Sequence, residues 1–429
     1  MLYERWRQVA RDFQNEIALH DLATGESWTF KQLASMTESG EQIDAPIIFP
    51  QGIAPEFIFS VLRAWRFGKI VCPVEVGHAP PAFAKLPSNC VHLKMTSAST
   101  GESRFVAFKG EQLAADAENI VETMKLRCNE PNLGVISLAH SYGFSNLVLP
   151  LLLHGIPLAL ANSSLPETIR RATRKFDSIT LPAVPALWRA WLGANVISKN
   201  IRLAISAGAP LPLTLEQEIF EKVGIKIHNF YGASECGGIA YDRSETPRKD
   251  ARFVGQPMKN VQVRVTAKGC LEVRGMAVGE TYFPKIDPTL AKGVFQTSDL
   301  AEIKKEKVFL SGRASDQINV AGRKVSPEII EAALLAHPEV ADSLVFSVPS
   351  EDAERGETIV ACVAVQGRVT TEILKQFLLT KIATWKVPRE WWIVDSLQTN
   401  ERGKRSRARW RENYLKNKSK ETPDSCRNK

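Results

Sequence analysis

Residues 96–104 read TSASTGESR, which places four hydroxyl side chains within five positions and a cation at Arg104. Hydroxyls and exposed backbone N–H groups on a glycine-containing loop, close to a cation, can hold the terminal phosphates of a nucleotide. The alternative is a polar turn whose hydroxyls satisfy only their own backbone. The stretch lacks the Walker pattern GxxxxGK[ST], so an ordinary P-loop ATPase is disfavoured.

Strand and helix signals indicate how such loops are positioned. The run IRLAISAGAP at 201–210 predicts a strand and a Gly loop, LPLTLEQEIFEKVG at 211–224 predicts a helix, and IKIHNFYGASE at 225–235 predicts a returning strand. Thr214 and Gln217 predict a capping box at the helix start, and Gly224 predicts its end. Two parallel strands should therefore end in Gly loops at the sheet edge where α/β folds bind ligands.

The chain divides into a large and a small part. HLKMTSASTG at 92–101 predicts another strand whose end points into the crevice at that edge, followed by a helix at 111–124. Further on, VSPEIIEAALLAHP predicts a helix capped by Ser326 with Pro327 as its first residue, and short strands and a second helix follow. The predicted fold class is α/β, with an N-terminal body of several sheets over 1–314, a small mobile α+β lid domain over 315–408 and a basic tail over 409–429.

Composition narrows the classes of protein. The 429 residues are 44% hydrophobic and 24% charged, as in globular proteins of two or more domains. The seven cysteines are scattered and never spaced CxxC, so neither a disulfide framework nor a zinc site is predicted. The N-terminal residues carry charges and lack an apolar signal-peptide core. We therefore expect a cytoplasmic protein.

Two stretches bear on other partners. Residues 131–166 contain no charged side chain, which is long enough for a membrane span, but Pro150 and Pro157 favour short buried elements, so no stable membrane insertion is expected. The last thirty residues hold eleven Lys or Arg against four Asp or Glu. Such a tail can bind nucleic acid or anionic lipid, yet solvated chain ends are commoner, and no nucleic-acid partner is expected.

An ordered set of short motifs selects one family. AHSYG (139–143), SAGAPL (206–211), YGASE (231–235), TSDL (297–300), SGRASDQINVAGRKVSPEIIE (311–331) and NERGKRSR (400–407) follow the hydroxyl stretch. Together they resemble the adenylate-forming superfamily, which includes acyl-CoA synthetases, the adenylation domains of peptide synthetases and luciferases. The resemblance spans roughly residues 20 to 408.

The resemblance implies a two-step reaction that uses ATP, Mg²⁺ and coenzyme A, or phosphopantetheine, as the thiol. A carboxylate attacks the α-phosphate of ATP to give an acyl adenylate and pyrophosphate, and the thiol then displaces AMP. The first step brings two anions together, so cations, metal and hydrogen-bond donors must lie where negative charge accumulates.

The resemblance also implies roles for individual residues. The nucleotide would be held by Thr96, Ser97, Ser99, Thr100, Gly101, Arg104, Ala207, Gly208, Ala209, Asn229, Tyr231, Gly232, Ala233, Asp299 and Arg313. Tyr231 would stack on adenine, Asp299 would accept the ribose hydroxyls, and Glu235 would bind Mg²⁺. Ala98 stands where the family usually has Gly, and Arg104 stands where Lys is common, which retains the charge and widens the hydrogen-bonding fork.

Catalysis would depend on Lys404, Glu235 and Thr96, with Lys404 neutralising the charge that develops between carboxylate and α-phosphate. The implied hinge of the small domain is Ser315 and Asp316, and its thiol face includes Gly322 and Lys324. The implied acyl pocket is lined by His140, Tyr142, Gly143, Gly237 and Gly238. A lone His in an apolar run is more often a hydrogen-bonded core residue, so that alternative remains open for His140.

The sequence thus predicts an AMP-forming acid–thiol ligase of the acyl-CoA synthetase type. The small residues Gly232, Ala233, Gly237 and Gly238 suggest a tunnel for a small-molecule carboxylate, either a medium or long fatty acid or a flat aryl acid. One alternative acceptor is the phosphopantetheine of an acyl carrier protein acting in trans. An alternative of another class is a non-catalytic adenylate-binding regulatory protein.

Overall fold

A computed structural model of the protein describes residues 1–96, 104–350, 356–367, 369–397 and 406–421. The chain divides into two compact units, of which the first comprises residues 1–297 and 303–309 and the second comprises residues 298–302 and 310–429. A large α/β body and a small C-terminal domain, as predicted, are confirmed. The predicted limits at 314 and 408 stay a prediction.

The first half of the larger unit alternates helices and strands. Its elements are α1 (Leu2–Asp12), β1 (Ile17–Asp21), β2 (Ser27–Thr29), α2 (Phe30–Glu38), β3 (Ile47–Ile48), α3 (Pro55–Arg66), β4 (Ile70–Val71), β5 (His92–Thr96), β6 (Arg104–Phe108), α4 (Gly110–Met124), β7 (Asn132–Gly134), α5 (Ser141–Gly143), a π-helical turn (Phe144–Val148), α6 (Leu149–His154) and β8 (Leu158–Leu160).

The second half begins with a crossover region and continues as antiparallel strands. Its elements are α7 (Pro166–Arg174), β9 (Ile179–Ala183), α8 (Pro185–Gly193), β10 (Ile201–Ser206), α9 (Leu213–Val223), β11 (Ile227–Ala233), β12 (Gly237–Tyr241), β13 (Phe253–Pro257), β14 (Gln262–Val265), β15 (Cys270–Arg274), β16 (Thr281–Phe283), β17 (Leu290–Ala291), β18 (Val294–Lys304) and β19 (Lys307–Arg313), the last two running across the division into units.

The predicted strand–helix–strand unit is confirmed. Strands β10 and β11 pair in parallel, with Ser206 opposite Asn229, and α9 connects them. Gly224 ends α9 in the left-handed conformation, as predicted, because glycine adopts a positive φ without steric cost. The predicted capping box is wrong. The helix begins at Leu213, after Pro212, so Thr214 already lies inside the first turn.

Two sheets build the larger unit. The main sheet has the order β14-β15-β18-β19-β13-β12-β11-β10-β9-β7-β8-β1-β2, and the second has the order β16-β6-β5-β4-β3. The predicted strand at 92–96 exists as β5, but it lies in the second sheet and pairs with β4 and β6. The expected position of its end, in the crevice at the carboxyl ends of β10 and β11, stays a prediction. The predicted helix at 111–124 is confirmed as α4.

The uncharged stretch at 131–166 folds as β7, helical turns at 141–154 and β8. Its leucines from Leu133 to Leu160 are buried, and Gly155 ends α6 with a positive φ. The two prolines lie within and just after the short helical segment, where they fit because Pro150 occupies a helix start. Among the described residues, no helix is both long and apolar enough to cross a membrane.

The smaller unit is an α+β structure. Its remaining elements are a 3₁₀ turn (Ala314–Asp316), β20 (Ile318–Val320), β21 (Arg323–Val325), α10 (Pro327–Leu335), β22 (Val340–Pro349), β23 (Glu357–Val365), α11 (Thr371–Leu379), a 3₁₀ turn (Thr384–Lys386), β24 (Glu390–Val394) and α12 (Arg407–Glu421). Pro327 is the first residue of α10, as predicted. Helices α10 and α11 pack on the apolar face of the β22-β23-β24 sheet, which buries Ile330, Leu334 and Leu374.

Candidate active site

Glu235 lies at the tip of the hairpin formed by β11 and β12. Gly232 pairs with Gly238 and Ala233 with Gly237, and the Cys236 N–H donates to the Ala233 carbonyl at 3.2 Å. The Glu235 carbonyl accepts the N–H of Gly279 at 2.8 Å. Hydrogen bonds therefore hold the backbone around Glu235, the predicted metal ligand, from two sides. The Glu235 side chain is only partly buried.

Tyr282, a residue that sequence reasoning missed, orients the Glu235 carboxylate. Its hydroxyl donates to Glu235 Oε1 at 3.0 Å, and the Tyr282 residue is 2% exposed. Burial, and then the negative charge of Glu235, raise the pKa of Tyr282. The hydroxyl consequently stays protonated and acts as a donor to the carboxylate at neutral pH.

The two ends of the hydroxyl stretch meet in a short ladder. Thr96 pairs with Arg104 across β5 and β6, and the Thr96 hydroxyl donates to the Arg104 carbonyl at 3.0 Å. The Arg104 guanidinium stacks 3.6 Å above the Tyr282 ring and donates to Asp287 Oδ2 at 3.1 Å. Direct contacts therefore connect Thr96 to Arg104, Arg104 to Tyr282, and Tyr282 to Glu235. The predicted residues Ser97, Ser99, Thr100 and Gly101, and the departure Ala98, lie outside the described residues.

The predicted adenine-slot residues lie just after the carboxyl end of β10 and in the last residues of β11. Ala207 is buried, and Gly208 has φ +83°, a left-handed conformation that glycine adopts readily. Tyr231 is partly buried near the end of β11. Asn229 is buried and donates from Nδ2 to the Val254 carbonyl at 3.2 Å, so it ties β11 to β13. Ala209, in the loop after β10, and Gly232 and Ala233, at the end of β11, are solvent-accessible to varying degrees.

His140 pairs with an acidic residue that sequence reasoning missed. Its Nε2 lies 3.2 Å from Glu75 Oε1, and the His140 side chain is 31% exposed. The Ser137 hydroxyl donates to both oxygens of Glu75 at 2.9 Å. The imidazole is therefore partly open to solvent and paired with a carboxylate, and its acyl-pocket role stays a prediction.

Other predicted acyl-pocket residues are closely packed. Tyr142 is partly buried, with its ring centroid 5.9 Å from that of Phe230. A methyl group on Gly143 would overlap the Ser137 carbonyl, and one on Gly237 would overlap the Asp116 carboxylate. The space beside Gly238 is filled by Phe230 and Met258. Glycine at these positions is thus explained by close packing, and the acyl-pocket role stays a prediction.

The smaller unit holds the remaining predicted residues. Arg313 Nε donates to Asp299 Oδ1 at 3.1 Å, so the predicted ribose carboxylate and its neighbouring cation are in contact. The Ser315 hydroxyl donates to Asp316 Oδ1 at 2.9 Å at the predicted hinge. Gly322 has φ +80° at the turn between β20 and β21, and Lys324 is exposed on β21. Lys404 lies outside the described residues.

Arg407, three positions after Lys404 in the sequence, is anchored in the smaller unit. Its guanidinium donates to Asp316 Oδ2, Glu328 Oε1 and Glu331 Oε1, each at 2.9 Å. Its Nε donates to the Val345 carbonyl at 3.0 Å. The start of α12 is therefore attached to the predicted hinge residue Asp316.

Comparison with known proteins decides the family. Residues 72–293, more than half of the chain, match the family model described as AMP-binding enzyme. The chain belongs to the AMP-binding enzyme family. Residues 329–404 match the AMP-binding enzyme C-terminal domain. This family assignment confirms the resemblance to adenylate-forming enzymes that the motifs indicated.

Individual relatives of this AMP-binding enzyme are acid–CoA ligases. The mitochondrial malonate–CoA ligase of Mus musculus is 28% identical over 367 residues, which are 72% of this chain and 62% of the ligase. This chain thus spans less than two thirds of that relative. Among solved structures, ATP-bound MatB from Rhodopseudomonas palustris has a TM-score of 0.85 at 20% identity, covering 96% of this chain and 99% of MatB.

A second solved structure has the same fold with a metal bound. The o-succinylbenzoate CoA synthetase from Bacillus subtilis, in complex with ATP and magnesium ion, has a TM-score of 0.80 at 19% identity and covers 94% of this chain and 98% of that chain. In the present protein, Glu235 fits a magnesium ligand because it is a partly exposed carboxylate on a rigid hairpin, and oxygen is the ligand type that Mg²⁺ prefers.

Proposed function

We propose that this protein is an AMP-forming acid–CoA ligase that activates a small-molecule carboxylic acid with ATP. The proposal depends on one observation, the continuous contact from Thr96 through Arg104 and Tyr282 to Glu235. It joins the base of the hydroxyl stretch to the predicted metal carboxylate. A non-catalytic binding protein has no need for these groups together with a separate lysine at 404.

In the first step, a carboxylate oxygen of the substrate forms a bond to the α-phosphorus of ATP, and the bond to the bridging oxygen of pyrophosphate breaks. The acid is already ionised at neutral pH, so no base is required. Arg104 contributes a positive charge beside the hydroxyl stretch, and Thr96 secures the start of that stretch. Mg²⁺, held by Glu235 together with the ATP phosphates, would supply charge neutralisation where pyrophosphate departs.

Lys404 is proposed to neutralise the charge shared by the attacking carboxylate and the α-phosphate. An ammonium on a flexible stem suits this role because it acts as a compact charge without requiring a fixed fork geometry. Asp299 and Arg313 are proposed to bind the ribose. In the second step, the thiol of coenzyme A bonds to the acyl carbon, and AMP leaves. Gly322 and Lys324 are proposed to border the thiol in that step.

The acid is proposed to be a fatty or aryl acid. The aromatic rings of Tyr142 and Phe230 pack together with their centroids 5.9 Å apart, and we propose that they border the acyl group. The relatives act on different acids by name, malonate in one and o-succinylbenzoate in the other, so they do not select a substrate. Coenzyme A is proposed as the thiol because the named relatives are CoA ligases, and a carrier-protein phosphopantetheine remains the rival acceptor.

The test is acid-dependent exchange of labelled pyrophosphate into ATP, run with a panel of fatty, aryl and short polar acids. We expect exchange with one of the first two classes and a loss of about 10²-fold or more in Lys404→Ala. Lys416→Ala, which alters a lysine paired with Glu412 on α12, is the matched control and should keep full activity. Full exchange by Lys404→Ala would refute the role of that lysine, and no exchange with any acid would favour a binding protein.

A further inference from the structure

A charged pair is buried beneath the predicted nucleotide segments of the larger unit. Lys94 on β5 is 4% exposed and Asp116 on α4 is 1% exposed, with Nζ and Oδ2 3.7 Å apart. Ser145 bridges them, because Lys94 Nζ donates to its hydroxyl at 3.1 Å and that hydroxyl donates to Asp116 Oδ2 at 2.6 Å. The Lys94 ammonium also lies 4.6 Å from the centre of the Phe108 ring.

Stability alone does not explain this pair. Taking two charges out of water costs several kcal/mol per ion, and well-packed apolar residues of similar volume are often as stable or more stable. Burial lowers the pKa of Lys94, and the Asp116 carboxylate is the largest influence that opposes this. The neighbouring residues Leu93 and Phe108 are apolar and fully buried. We therefore expect this buried ion pair to fix the positions of the residues around it.

Both members of the pair connect directly to the predicted site. Lys94 lies two residues before Thr96, on the strand that leads into the hydroxyl stretch. Asp116 Oδ1 accepts the N–H of Gly238 at 3.1 Å, across 122 positions of sequence. Gly237 has φ +67° and approaches the Asp116 carboxylate so closely that no other residue fits there.

The contact with Gly238 completes the support of the Glu235 hairpin. On one side, Gly279 donates to the Glu235 carbonyl at 2.8 Å. On the other side, Asp116 holds the first residues of β12, immediately after the hairpin tip. The orientation of Asp116 is in turn set by Lys94 and Ser145, since both contact Oδ2 while Oδ1 faces the Gly238 N–H.

We propose that Asp116, held by Lys94 and Ser145, is a positioning residue that sets Glu235 relative to Thr96 and Arg104 and so determines how tightly magnesium is bound with ATP. This inference rests on the proposed role of Glu235 as the metal carboxylate. Magnesium demands near-ideal octahedral geometry, so a small displacement of one carboxylate weakens its binding. A shift of about 1 Å in a catalytic group can cost about 10²-fold in rate.

The test compares two double variants that both remove the buried charges. Lys94→Met with Asp116→Asn keeps an amide oxygen that accepts the Gly238 N–H, whereas Lys94→Met with Asp116→Leu removes that acceptor. Neither leaves an unpaired buried charge, the usual cause of severe destabilisation. The measurement is thermal stabilisation by saturating ATP as a function of Mg²⁺ concentration, and it needs no acid substrate.

We expect the asparagine variant to reach half-saturation within about threefold of the wild-type Mg²⁺ concentration, and the leucine variant to need about tenfold more or higher. The matched control is Glu130→Gln with Arg202→Met, which removes another partly buried pair of the same unit, whose atoms lie 2.6 Å apart. It should leave the Mg²⁺ dependence unchanged. Equal Mg²⁺ dependence in the asparagine and leucine variants, or an equal rise in the control, overturns the inference.

Two further outcomes separate this inference from the proposed function. If the wild type is stabilised by MgATP but exchanges pyrophosphate with no acid, the ligase proposal falls while the positioning role stands on the Mg²⁺ measurement. A wild type that MgATP does not stabilise overturns both. If the leucine variant does not fold, Ser145→Ala takes its place, with an expected rise of about two- to fivefold, and an unchanged Mg²⁺ dependence there refutes the positioning role.

Discussion

Replacing Tyr282 by Phe tests whether the orientation of the Glu235 carboxylate matters for catalysis. The substitution removes only the hydroxyl that donates to Glu235 at 3.0 Å and keeps the ring on which Arg104 stacks. A hydrogen bond to a charged acceptor contributes about 1.5–3 kcal/mol. Because Glu235 is partly exposed and water replaces part of the bond, we expect a loss of about 1–2 kcal/mol. At about 1.36 kcal/mol per tenfold change, kcat/KM for MgATP should fall about 5- to 30-fold.

The assay is pyrophosphate exchange at varied MgATP, with the melting temperature recorded in parallel. Tyr414→Phe is a matched control, since Tyr414 donates to Glu390 at 2.6 Å in the smaller unit and is not among the predicted site residues. Its kcat/KM should stay within about twofold of wild type. In a Glu235→Gln background, Tyr282→Phe should cost less than about threefold, because the charged acceptor is gone.

Two results would refute this reasoning. The first is a Tyr282→Phe variant with wild-type kcat/KM at every Mg²⁺ concentration, since the hydroxyl would then have no influence on Glu235. The second is an equal loss in the presence and absence of the Glu235 carboxylate, which would show that the two residues act independently. A lowered melting temperature with unchanged kinetics would assign the hydrogen bond to folding alone.

Three further predictions concern charges elsewhere in the larger unit. Glu75→Gln should raise kcat/KM for dicarboxylic relative to monocarboxylic acids about 5- to 30-fold, because it removes a negative charge beside His140 in the proposed acyl pocket, and nearby like charges repel by about 1–2 kcal/mol at an effective dielectric constant of about 20; an unchanged ratio in the exchange assay contradicts this. Arg248→Met should lower the free energy of unfolding in urea by about 3–5 kcal/mol, because it removes one of the cations that pair with the buried Glu216 carboxylate. The control is Arg252→Met, which alters an exposed arginine and should lower the free energy of unfolding by less than about 1 kcal/mol. Hydrogen bonds from Arg264 and Arg274 lower the pKa of Glu272 to about 2, so the stabilisation by this carboxylate is present above about pH 4.5 and is lost as the pH falls towards 2. Glu272→Gln should lower the free energy of unfolding in urea by about 1–2 kcal/mol at pH 7, a modest loss because both arginines are half exposed. This difference from wild type should shrink between about pH 4.5 and pH 2, and a constant difference contradicts the assignment.

The arrangement of residues across long sequence distances could not be predicted from the chain alone. Glu235 meets Tyr282, His140 meets Glu75, and Asp116 meets Gly238. An isolated Tyr in a short strand or an Asp in an amphipathic helix has no local signal that names its partner. Such contacts depend on which sheets and helices pack together, and that is decided by burial over the whole unit.

The sheet to which β5 belongs was also determined by the tertiary structure. The local pattern at 92–96 predicts a strand, and β5 is one, but the pattern is equally compatible with either sheet. In the folded protein β5 pairs with β4 and β6 in the second sheet, which places Lys94 against α4. The period of side chains along a strand indicates which faces are buried and carries no label for the neighbouring strand.

By itself, the sequence determined the local elements and the family. The apolar periods at 201–229 predict a crossover unit between two parallel strands, which β10, α9 and β11 form, and the ordered motifs indicate a member of the AMP-binding enzyme family. Only the tertiary structure decided that Thr96, Arg104, Tyr282 and Glu235 form one connected group. Hydrogen bonds and ring stacking act over a few ångströms, so their partners exist only once distant segments have been brought together by folding.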